Sequence, residues 1–326
     1  MLLQLDTIKN KGRFPVAAQL DPQIAQLLAH APPYPGARHI PLDQLREYIR
    51  QTAAATPTYQ AELASVQDVS VRGPDGDVLA LRLYTPTGEG PHPVTLFFHG
   101  GGFVMGDLDS QDMIARALAE AAGTLVVSVD YRLAPEHPYP AAPKDAEAGL
   151  KWVVANIDQY NGDAQRIATA GDSAGGVLAA VTSIIARDNG IPLRAQLHFY
   201  GSGGFPFERL PSWHEFKDGT LLNVDDIDFF WEVYVPELQT VGREPLASPR
   251  FADLAGLAPA YVMTAELDPT RDDGEDLGHR LRDAGVEVVI DRVPGAIHGF
   301  LSFLGAVDIS KSAIDRAASW LRQQFA

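Results

Sequence analysis

Short apolar runs alternate with amphipathic stretches along the chain from about residue 66 onward. VTLFFHG, TLVVSVDY and AYVMTAELD are nearly continuous apolar runs, which is typical of strands covered on both faces. Helical periodicity separates most of these runs and closes the chain, at 111–122, 143–157, 174–187, 273–284 and 306–324. This alternation predicts a mainly parallel sheet with right-handed crossovers. The leading runs DVSVRG and VLALRLYTP, joined by the turn GPDGD, are expected to pair as an antiparallel edge.

Two segments depart from this alternation. Residues 1–50 predict two short amphipathic helices, at 21–30 and 42–52, on either side of the breaker APPYPGARHIP. Residues 203–244 lie between two predicted strands and are rich in aromatic side chains, with a helical stretch DDIDFFWEVYVPEL. Its acidic start, Asp225, Asp226 and Asp228, is expected on a solvated helix face. Such segments can form a lid over a pocket, or they can pack as an arm and a helical excursion with a core of their own.

Charge and composition narrow the function classes. Lys and Arg number 26 against 42 Asp and Glu, a net charge of −16, which disfavours nucleic acid and anionic lipid as partners. The absence of cysteine excludes disulfides, thiolate metal sites and a cysteine nucleophile. The apolar start MLLQL is too short for a signal peptide, and no apolar run reaches the roughly 18 residues of a membrane span. We therefore expect a cytoplasmic protein that is not integrated into a membrane.

The motif Gly171-Asp172-Ser173-Ala174-Gly175-Gly176 follows a predicted strand and precedes a predicted helix. This is the context of a G-x-S-x-G turn, in which a nucleophilic serine projects from a strained strand-to-helix bend. Neighbours without bulky side chains let the chain close around that bend. The pentapeptide alone is only moderately specific, and a glycine-rich helix start without chemistry is the alternative interpretation.

A second glycine motif, His99-Gly100-Gly101-Gly102-Phe103, comes directly after the strand VTLFF. Consecutive glycines let backbone N–H groups approach an anion closely. A phosphate loop would need a following Gly-Lys-Ser/Thr, and a dinucleotide loop would need glycine at Met105, so both are excluded. HGGG is an oxyanion-hole motif of lipases and esterases. We predict the N–H groups of Gly101, Gly102 and Ala174 as the oxyanion donors.

A nucleophilic serine needs a base and an orienting acid, which follow it along the chain in the order Asp or Glu, then His. Four histidines follow Ser173, and His298 lies just past a predicted strand, where open α/β sheets build their sites. The other three lie within a strand, in the aromatic insertion and on a polar helix: His198, His214 and His279. Asp268 follows the strand AYVMTAEL directly and is the predicted acid, with Asp272 in reserve.

No HExxH pattern or calcium-loop pattern is present, and we expect neither a metal nor a cofactor. The aromatic side chains of residues 203–244 indicate an apolar acyl or aryl ligand. We expect substrate contacts from Phe103, beside the glycine motif, and from three aromatics of the insertion, namely Phe205, Phe207 and Trp213.

Together the blocks HGGGF, YRLAPEHPYPAAPKD, GDSAGG, ELDPTRDDGE and HGF, in this order and spacing, resemble the hormone-sensitive-lipase-like carboxylesterases of the α/β-hydrolase superfamily. The resemblance implies an α/β-hydrolase fold, a triad of Ser173, Asp268 and His298, and hydrolysis of short-to-medium acyl esters. It further implies a helical cap formed by residues 1–50 and 203–244 over a catalytic domain of residues 51–202 and 245–326. A homodimer through the strand VEVVIDRV is also consistent with it.

The chain departs from the family pattern at a few positions. Val177 stands where asparagine is usual, and Thr270 and Asp273 stand in an acid loop that usually reads DPLRDEGE. The polar residues of the second block, Tyr131, Arg132, Glu136 and Asp145, are interpreted as braces of the glycine motif rather than catalysts. An amidase or lactonase would use the same triad, and a non-catalytic small-molecule receptor on this scaffold would lack the histidine, which is present here.

Overall fold

A computed structural model describes residues 19–31, 34, 36–219 and 221–326 of the chain. Eight strands form one sheet in this part of the chain, in the order β1-β2-β4-β3-β5-β6-β7-β8. Their bounds are β1 Leu63–Arg72, β2 Val78–Pro86, β3 His92–Phe98, β4 Leu125–Asp130, β5 Gly162–Asp172, β6 Ala195–Phe199, β7 Ala260–Leu267 and β8 Val288–Ile297. Strand β2 runs antiparallel to β1 and β4, and all other pairs are parallel. The predicted mainly parallel sheet with an antiparallel edge is confirmed.

Helices connect the strands and cover both faces of the sheet. Their bounds are α1 Pro22–His30, α2 Leu42–Ala55, α3 Asp112–Ala122, α4 Ala141–Asn156, α5 Ala174–Asp188, α6 Pro211–Glu215, α7 Val224–Tyr234, α8 Leu238–Val241, α9 Arg271–Asp283 and α10 Asp308–Phe325. None of the helices among the described residues is long and apolar enough to cross a membrane.

The predicted elements differ from the observed ones mainly at their ends. Strand β1 begins at Leu63, five residues before the run DVSVRG, because it continues to pair with β2 past a bulge between Leu63 and Ser65. Its exposed edge position leaves little apolar signal there. The helical stretch 225–238 is two helices, α7 and α8, because Pro236 follows α7 closely and cannot continue a helix.

Two large apolar clusters sandwich the sheet. One lies under α3 and α10 and includes Phe97, Phe199 and Phe300, and the other lies under α4 and α5 and includes Phe98 and Leu178. Burial on both faces explains why the central strands are apolar without alternation. The sheet therefore gives a rigid support for the loops at the carboxyl ends of its parallel strands.

The two segments that depart from the alternation meet in space. Arg38 pairs with Asp225 and Glu232, and Asp226 Oδ1 accepts the Ala37 N–H at 2.6 Å. Asp226 is buried, so the expectation of a wholly solvated acidic helix start is wrong at this residue. Its carboxylate also caps α7 in a capping box with Asn223, and these donors stabilise it away from water. Residues 1–18 of the predicted cap, and positions 32, 33, 35 and 220, lie outside the described residues.

Candidate active site

Ser173 lies at a sharp turn between β5 and α5. Its backbone has φ 53° and ψ −117°, a left-handed conformation that costs a residue with a Cβ about 1–3 kcal/mol. The glycines of the motif make the turn possible, because a Cβ on Gly175 would lie 1.9 Å from the carbonyl oxygen of Phe98. The Ser173 N–H donates to Phe199 O at 2.8 Å, which ties the turn to β6. The serine hydroxyl is thereby presented at the carboxyl edge of the sheet.

His298 and Asp268 approach this hydroxyl from the ends of β8 and β7. Ser173 Oγ lies 2.8 Å from His298 Nε2, and His298 Nδ1 lies 2.7 Å from Asp268 Oδ2. The carboxylate accepts a hydrogen bond from Nδ1–H, so Nε2 carries no proton and is free to accept the one on the serine hydroxyl. Asp268 is fully buried, and its second oxygen accepts the N–H of Thr270 at 2.8 Å. The three predicted side chains are thus brought into one hydrogen-bonded line.

The glycine loop after β3 faces the serine turn. Gly101 and Gly102 have φ of 124° and 61°, conformations that favour glycine. A Cβ on Gly101 would lie 2.1 Å from Met105 O, and one on Gly102 would lie 2.5 Å from the Phe230 ring. Within the described part of the chain, the N–H groups of Gly101, Gly102 and Ala174 donate to no backbone acceptor. Ala174 begins α5, where the first N–H groups have no partner inside the helix.

Buried polar contacts hold the glycine loop against the sheet. Gly100 N–H donates to Asp172 Oδ1 at 2.8 Å, and Tyr131 OH donates to His99 O at 2.8 Å. The Tyr131 ring also stacks on the His99 imidazole, with centroids 4.2 Å apart. The contacts of Tyr131 match its interpretation as a brace of the loop.

Ion pairs hold the segments that follow strand β4 and the glycine loop. Arg132 makes hydrogen bonds to both oxygens of buried Asp145 at 2.8–3.1 Å. Arg46, on α2, pairs with Glu136 at 2.8 Å and donates to Val104 O at 2.7 Å. These contacts join α2 to the segment that follows the glycine loop.

Burial shifts the pKa of several groups near the serine. Burial raises the pKa of Asp172 to about 7, although the Gly100 N–H and the nearby His298 favour its ionised form. Burial also lowers the pKa of His99 and of His198 to about 4. His198, one of the alternative bases, lies in β6 beneath the serine turn, with its Nδ1 2.9 Å from Gly176 O, and does not reach Ser173.

A cavity of about 320 Å³ opens above Ser173 and His298. Its floor includes the glycine loop, Ala174 and Val177. Its roof comes from both departing segments and from the end of α2, which runs on past residue 50. The lining side chains there are Tyr34, Tyr48, Ile49, Thr52, Ala53, Leu221, Leu222, Ile227, Phe230 and Trp231. The walls are mainly apolar and aromatic, which suits an apolar ligand group.

The predicted substrate contacts divide into two groups. Phe103 lines the cavity and stacks on Tyr234, with ring centroids 3.8 Å apart. Phe205, Phe207 and Trp213 are not among the residues that line it. Trp213 instead lies on α6, and its indole N–H donates to Asp273.

The sequence interpretation missed the aromatic residues that do line the roof. Phe230 and Trp231 lie on α7 at adjacent positions, and Tyr34 and Tyr48 come from the N-terminal segment. Aromatic content was visible in the sequence at these positions, but the face of α7 that turns toward Ser173 depends on how the insertion packs. No spacing in the sequence specifies that packing.

Comparison with known proteins agrees with the fold. Residues 95–302 match the family described as alpha/beta hydrolase fold. Esterase LipI of Mycobacterium tuberculosis is 44% identical over 262 residues, which are 79% of this chain and 81% of that protein. Carboxylesterase NlhH of the same organism is 45% identical over 235 residues, 71% of this chain and 73% of that protein. The hyperthermophilic esterase of the archaeon Pyrobaculum calidifontis superposes with a TM-score of 0.85 at 37% identity, covering 94% of this chain and 100% of that chain.

These matches, taken with the serine turn at the edge of a mainly parallel sheet, define the class of protein. The chain belongs to the α/β-hydrolase family. Within that family it is an enzyme of the hormone-sensitive-lipase-like carboxylesterase group, whose members hydrolyse carboxylic esters.

Proposed function

We propose that this enzyme hydrolyses small carboxylic esters with Ser173 as nucleophile, His298 as general base and Asp268 as the acid that orients the base. The observation that carries the proposal is the line of hydrogen bonds from Ser173 Oγ to His298 Nε2 at 2.8 Å and from His298 Nδ1 to Asp268 Oδ2 at 2.7 Å. A serine hydroxyl is a weak nucleophile until a base accepts its proton, and this arrangement supplies the base in the required tautomer.

In the first half of the proposed cycle, Ser173 Oγ attacks the ester carbonyl while its proton passes to His298. The negative charge that develops on the carbonyl oxygen is stabilised by the N–H groups of Gly101, Gly102 and Ala174. Removal of one donor of this kind costs about 2.7–4 kcal/mol in other serine hydrolases. His298 then returns the proton to the leaving alcohol, and an acyl-enzyme remains on Ser173.

In the second half, water attacks the acyl-enzyme. His298 accepts a proton from this water, and the same three N–H groups stabilise the second oxyanion. The intermediate then collapses, the bond from the carbonyl carbon to Oγ breaks, and His298 returns its proton to Oγ, which releases the carboxylic acid and restores the serine hydroxyl. Asp268 stays ionised throughout and stabilises the imidazolium that forms in each half.

Cavity size and lining support short-to-medium acyl esters as the substrate class. A volume of about 320 Å³ is near the lower end for ligand pockets, and apolar side chains form most of its wall. We propose residues 1–50 and 203–244 as the cap, because side chains of α7 and of the part of α2 before residue 51 line the roof of the cavity. Residues 51–202 and 245–326 then form the catalytic domain.

We also propose that two copies associate through β8, which lies at the edge of the sheet. An edge strand can extend its hydrogen bonding to the same strand of a second copy. Light scattering coupled to size-exclusion chromatography tests this, since a monomeric mass at micromolar concentration would contradict it. A cytoplasmic location stays a prediction from the sequence.

A panel of p-nitrophenyl esters tests the proposed function. We expect turnover of the acetate, butyrate and octanoate, weak turnover of the palmitate, and none of these activities in Ser173→Ala with an unchanged melting temperature. Matched amide and lactone substrates separate the related activities, and binding without turnover would favour a receptor. Near wild-type turnover by Ser173→Ala would contradict the proposal.

A further inference from the structure

Thr270 contacts both partners of the serine base. The residue lies two positions after Asp268, where the related acid-loop motif usually carries leucine. Thr270 Oγ1 donates to Asp268 Oδ1 at 2.9 Å, and the Thr270 N–H donates to the same oxygen at 2.8 Å. The same Oγ1 lies 3.4 Å from His298 Nδ1.

The lengths of the two contacts of Thr270 Oγ1 show which of them is a hydrogen bond. At 2.9 Å the bond to Asp268 is within the ordinary range, whereas 3.4 Å to His298 Nδ1 is longer than a normal hydrogen bond. His298 Nδ1 already donates to Asp268 Oδ2 at 2.7 Å. The Thr270 hydroxyl therefore donates its hydrogen bond to the Asp268 carboxylate, and its oxygen lies beside the edge of the imidazole.

The carboxylate depends on Thr270 because Asp268 is fully buried. A buried carboxylate needs hydrogen-bond donors to stay ionised and ordered. Within the described part of the chain, its side-chain oxygens accept from Thr270 N–H, Thr270 O–H and His298 Nδ1–H. Thr270 is itself only 6% exposed, and its β-branched side chain is restricted about χ1.

We propose that Thr270 is a positioning residue that fixes the Asp268 carboxylate in the orientation where Oδ2 accepts the hydrogen bond from His298 Nδ1–H. The inference rests on the proposed triad and adds a fourth side chain to it. Thr270 acts through Asp268, so its loss slows the proton transfers of both halves of the cycle. Substrate binding by the rest of the cavity is left largely as it was, so the effect falls on kcat and not on KM.

Thr270→Val removes the hydroxyl and keeps the shape of the side chain, whereas Thr270→Ser keeps the hydroxyl. We expect kcat for p-nitrophenyl butyrate to fall by about 10-fold or more in Thr270→Val, the rate equivalent of one hydrogen bond to a charged group. KM should stay within about 2-fold, and Thr270→Ser should recover most of the kcat. The rate at which a fluorophosphonate labels the enzyme should fall in parallel with kcat/KM, because labelling needs the same activated serine.

Thr95→Val is the matched control. Thr95 is a buried threonine of β3 whose hydroxyl lies 2.9 Å from that of Thr124, so the variant also loses a buried hydroxyl contact. It should lower the melting temperature without changing kcat. If Thr270→Val does not fold, Thr270→Ala takes its place with the same expected loss.

Wild-type kcat in the folded hydroxyl-less variant, or a loss that Thr270→Ser does not recover, would overturn the inference. Ser173→Ala in the same assay separates this failure from failure of the triad. An inactive Ser173→Ala beside a fully active Thr270→Val refutes only the role of Thr270. An active Ser173→Ala refutes the triad itself.

Discussion

The Asp172 carboxyl accepts the backbone N–H of Gly100 at 2.8 Å, although 72 positions separate the two residues. Asp172 immediately precedes Ser173, and Gly100 immediately precedes the two glycines proposed as oxyanion donors. A Cβ on Gly100 would lie 2.4 Å from Asp172 Oδ2, so this approach requires glycine. The serine turn and the glycine loop are therefore held together as one unit by a buried hydrogen bond.

The pKa of Asp172 predicts how stability depends on pH. Burial raises this pKa from 3.8 to about 7, so the folded chain favours the neutral carboxyl. Its contribution to stability is therefore full below about pH 4 and is lost as the pH rises to about 7. Asp172→Asn keeps an acceptor for the Gly100 N–H and does not ionise. Urea unfolding from pH 5 to 8 should show the variant gaining stability relative to wild type as the pH rises, and levelling above about pH 7.

Two outcomes would contradict this assignment. A constant difference in unfolding free energy across the pH range would mean that Asp172 has the same pKa in the folded and unfolded chains. A difference that runs the other way would mean that the buried carboxyl favours its ionised form.

Gly102→Ala should inactivate the enzyme for a reason that its backbone conformation alone does not explain. The new Cβ would lie 2.5 Å from the Phe230 ring, so the glycine loop must shift. Its N–H groups would then no longer point at the oxyanion. We expect kcat to fall by about 10²–10³-fold, as when an oxyanion donor is lost.

Gly123→Ala is the control for Gly102→Ala. Gly123 has φ 62° against 61° for Gly102, but it ends α3 with no heavy atom near the Cβ position. Both variants meet a similar left-handed backbone cost of about 1–2 kcal/mol. Equal kcat losses in the two variants would show that backbone strain alone, and not a displaced glycine loop, lowers kcat.

Trp213→Phe should weaken the attachment of the insertion to the acid loop. The Trp213 indole N–H donates to buried Asp273, and the adjacent Ser212 Oγ donates to Pro269 O at 2.7 Å. Removing the indole donor from a buried carboxylate should cost about 1–3 kcal/mol of unfolding free energy in urea. Trp152→Phe, whose ring packs on Tyr160, loses a similar volume and should cost less. Equal costs would show that the Asp273 contact adds no stability.

Arg132→Met should destabilise the fold strongly, because it leaves Asp145 buried without its charged partner. The Asp145 side chain is 1% exposed, and removing one member of a buried pair costs about 3–5 kcal/mol. Asp75 pairs with the same guanidinium from the surface at 56% exposure, so Asp75→Asn should cost far less unfolding free energy than Arg132→Met. Chemical denaturation of both variants checks the contrast, and similar losses would contradict it.

The sequence predicts the fold, and the three side chains that meet at Ser173, because both follow from local sequence patterns. Ser173, Asp268 and His298 each follow a strand directly, and parallel strands bring their carboxyl ends to one edge. The order of motifs then leaves few alternatives for the base and the acid. The start of strand β1 is predicted less well, since an exposed edge strand lacks a strong apolar pattern.

The pocket could not be predicted in the same way. Which aromatics face Ser173 depends on the packing of two segments distant in sequence, as the contact between Asp226 and Ala37 illustrates. Trp213 and Phe230 are both aromatic residues of the segment 203–244, yet Trp213 packs on the acid loop and Phe230 lines the cavity. The same limit applies to Thr270, because the role of its hydroxyl can be inferred only from its contacts with Asp268 and His298 in the structure.

The identity of the residue that a fluorophosphonate modifies tests the central claim most directly. Peptide mapping of the labelled enzyme by mass spectrometry should find one adduct, on Ser173, and none in Ser173→Ala. The label should also be slow in His298→Ala, because the serine then lacks its base. An adduct on another residue, or undiminished labelling of Ser173→Ala, would contradict the account.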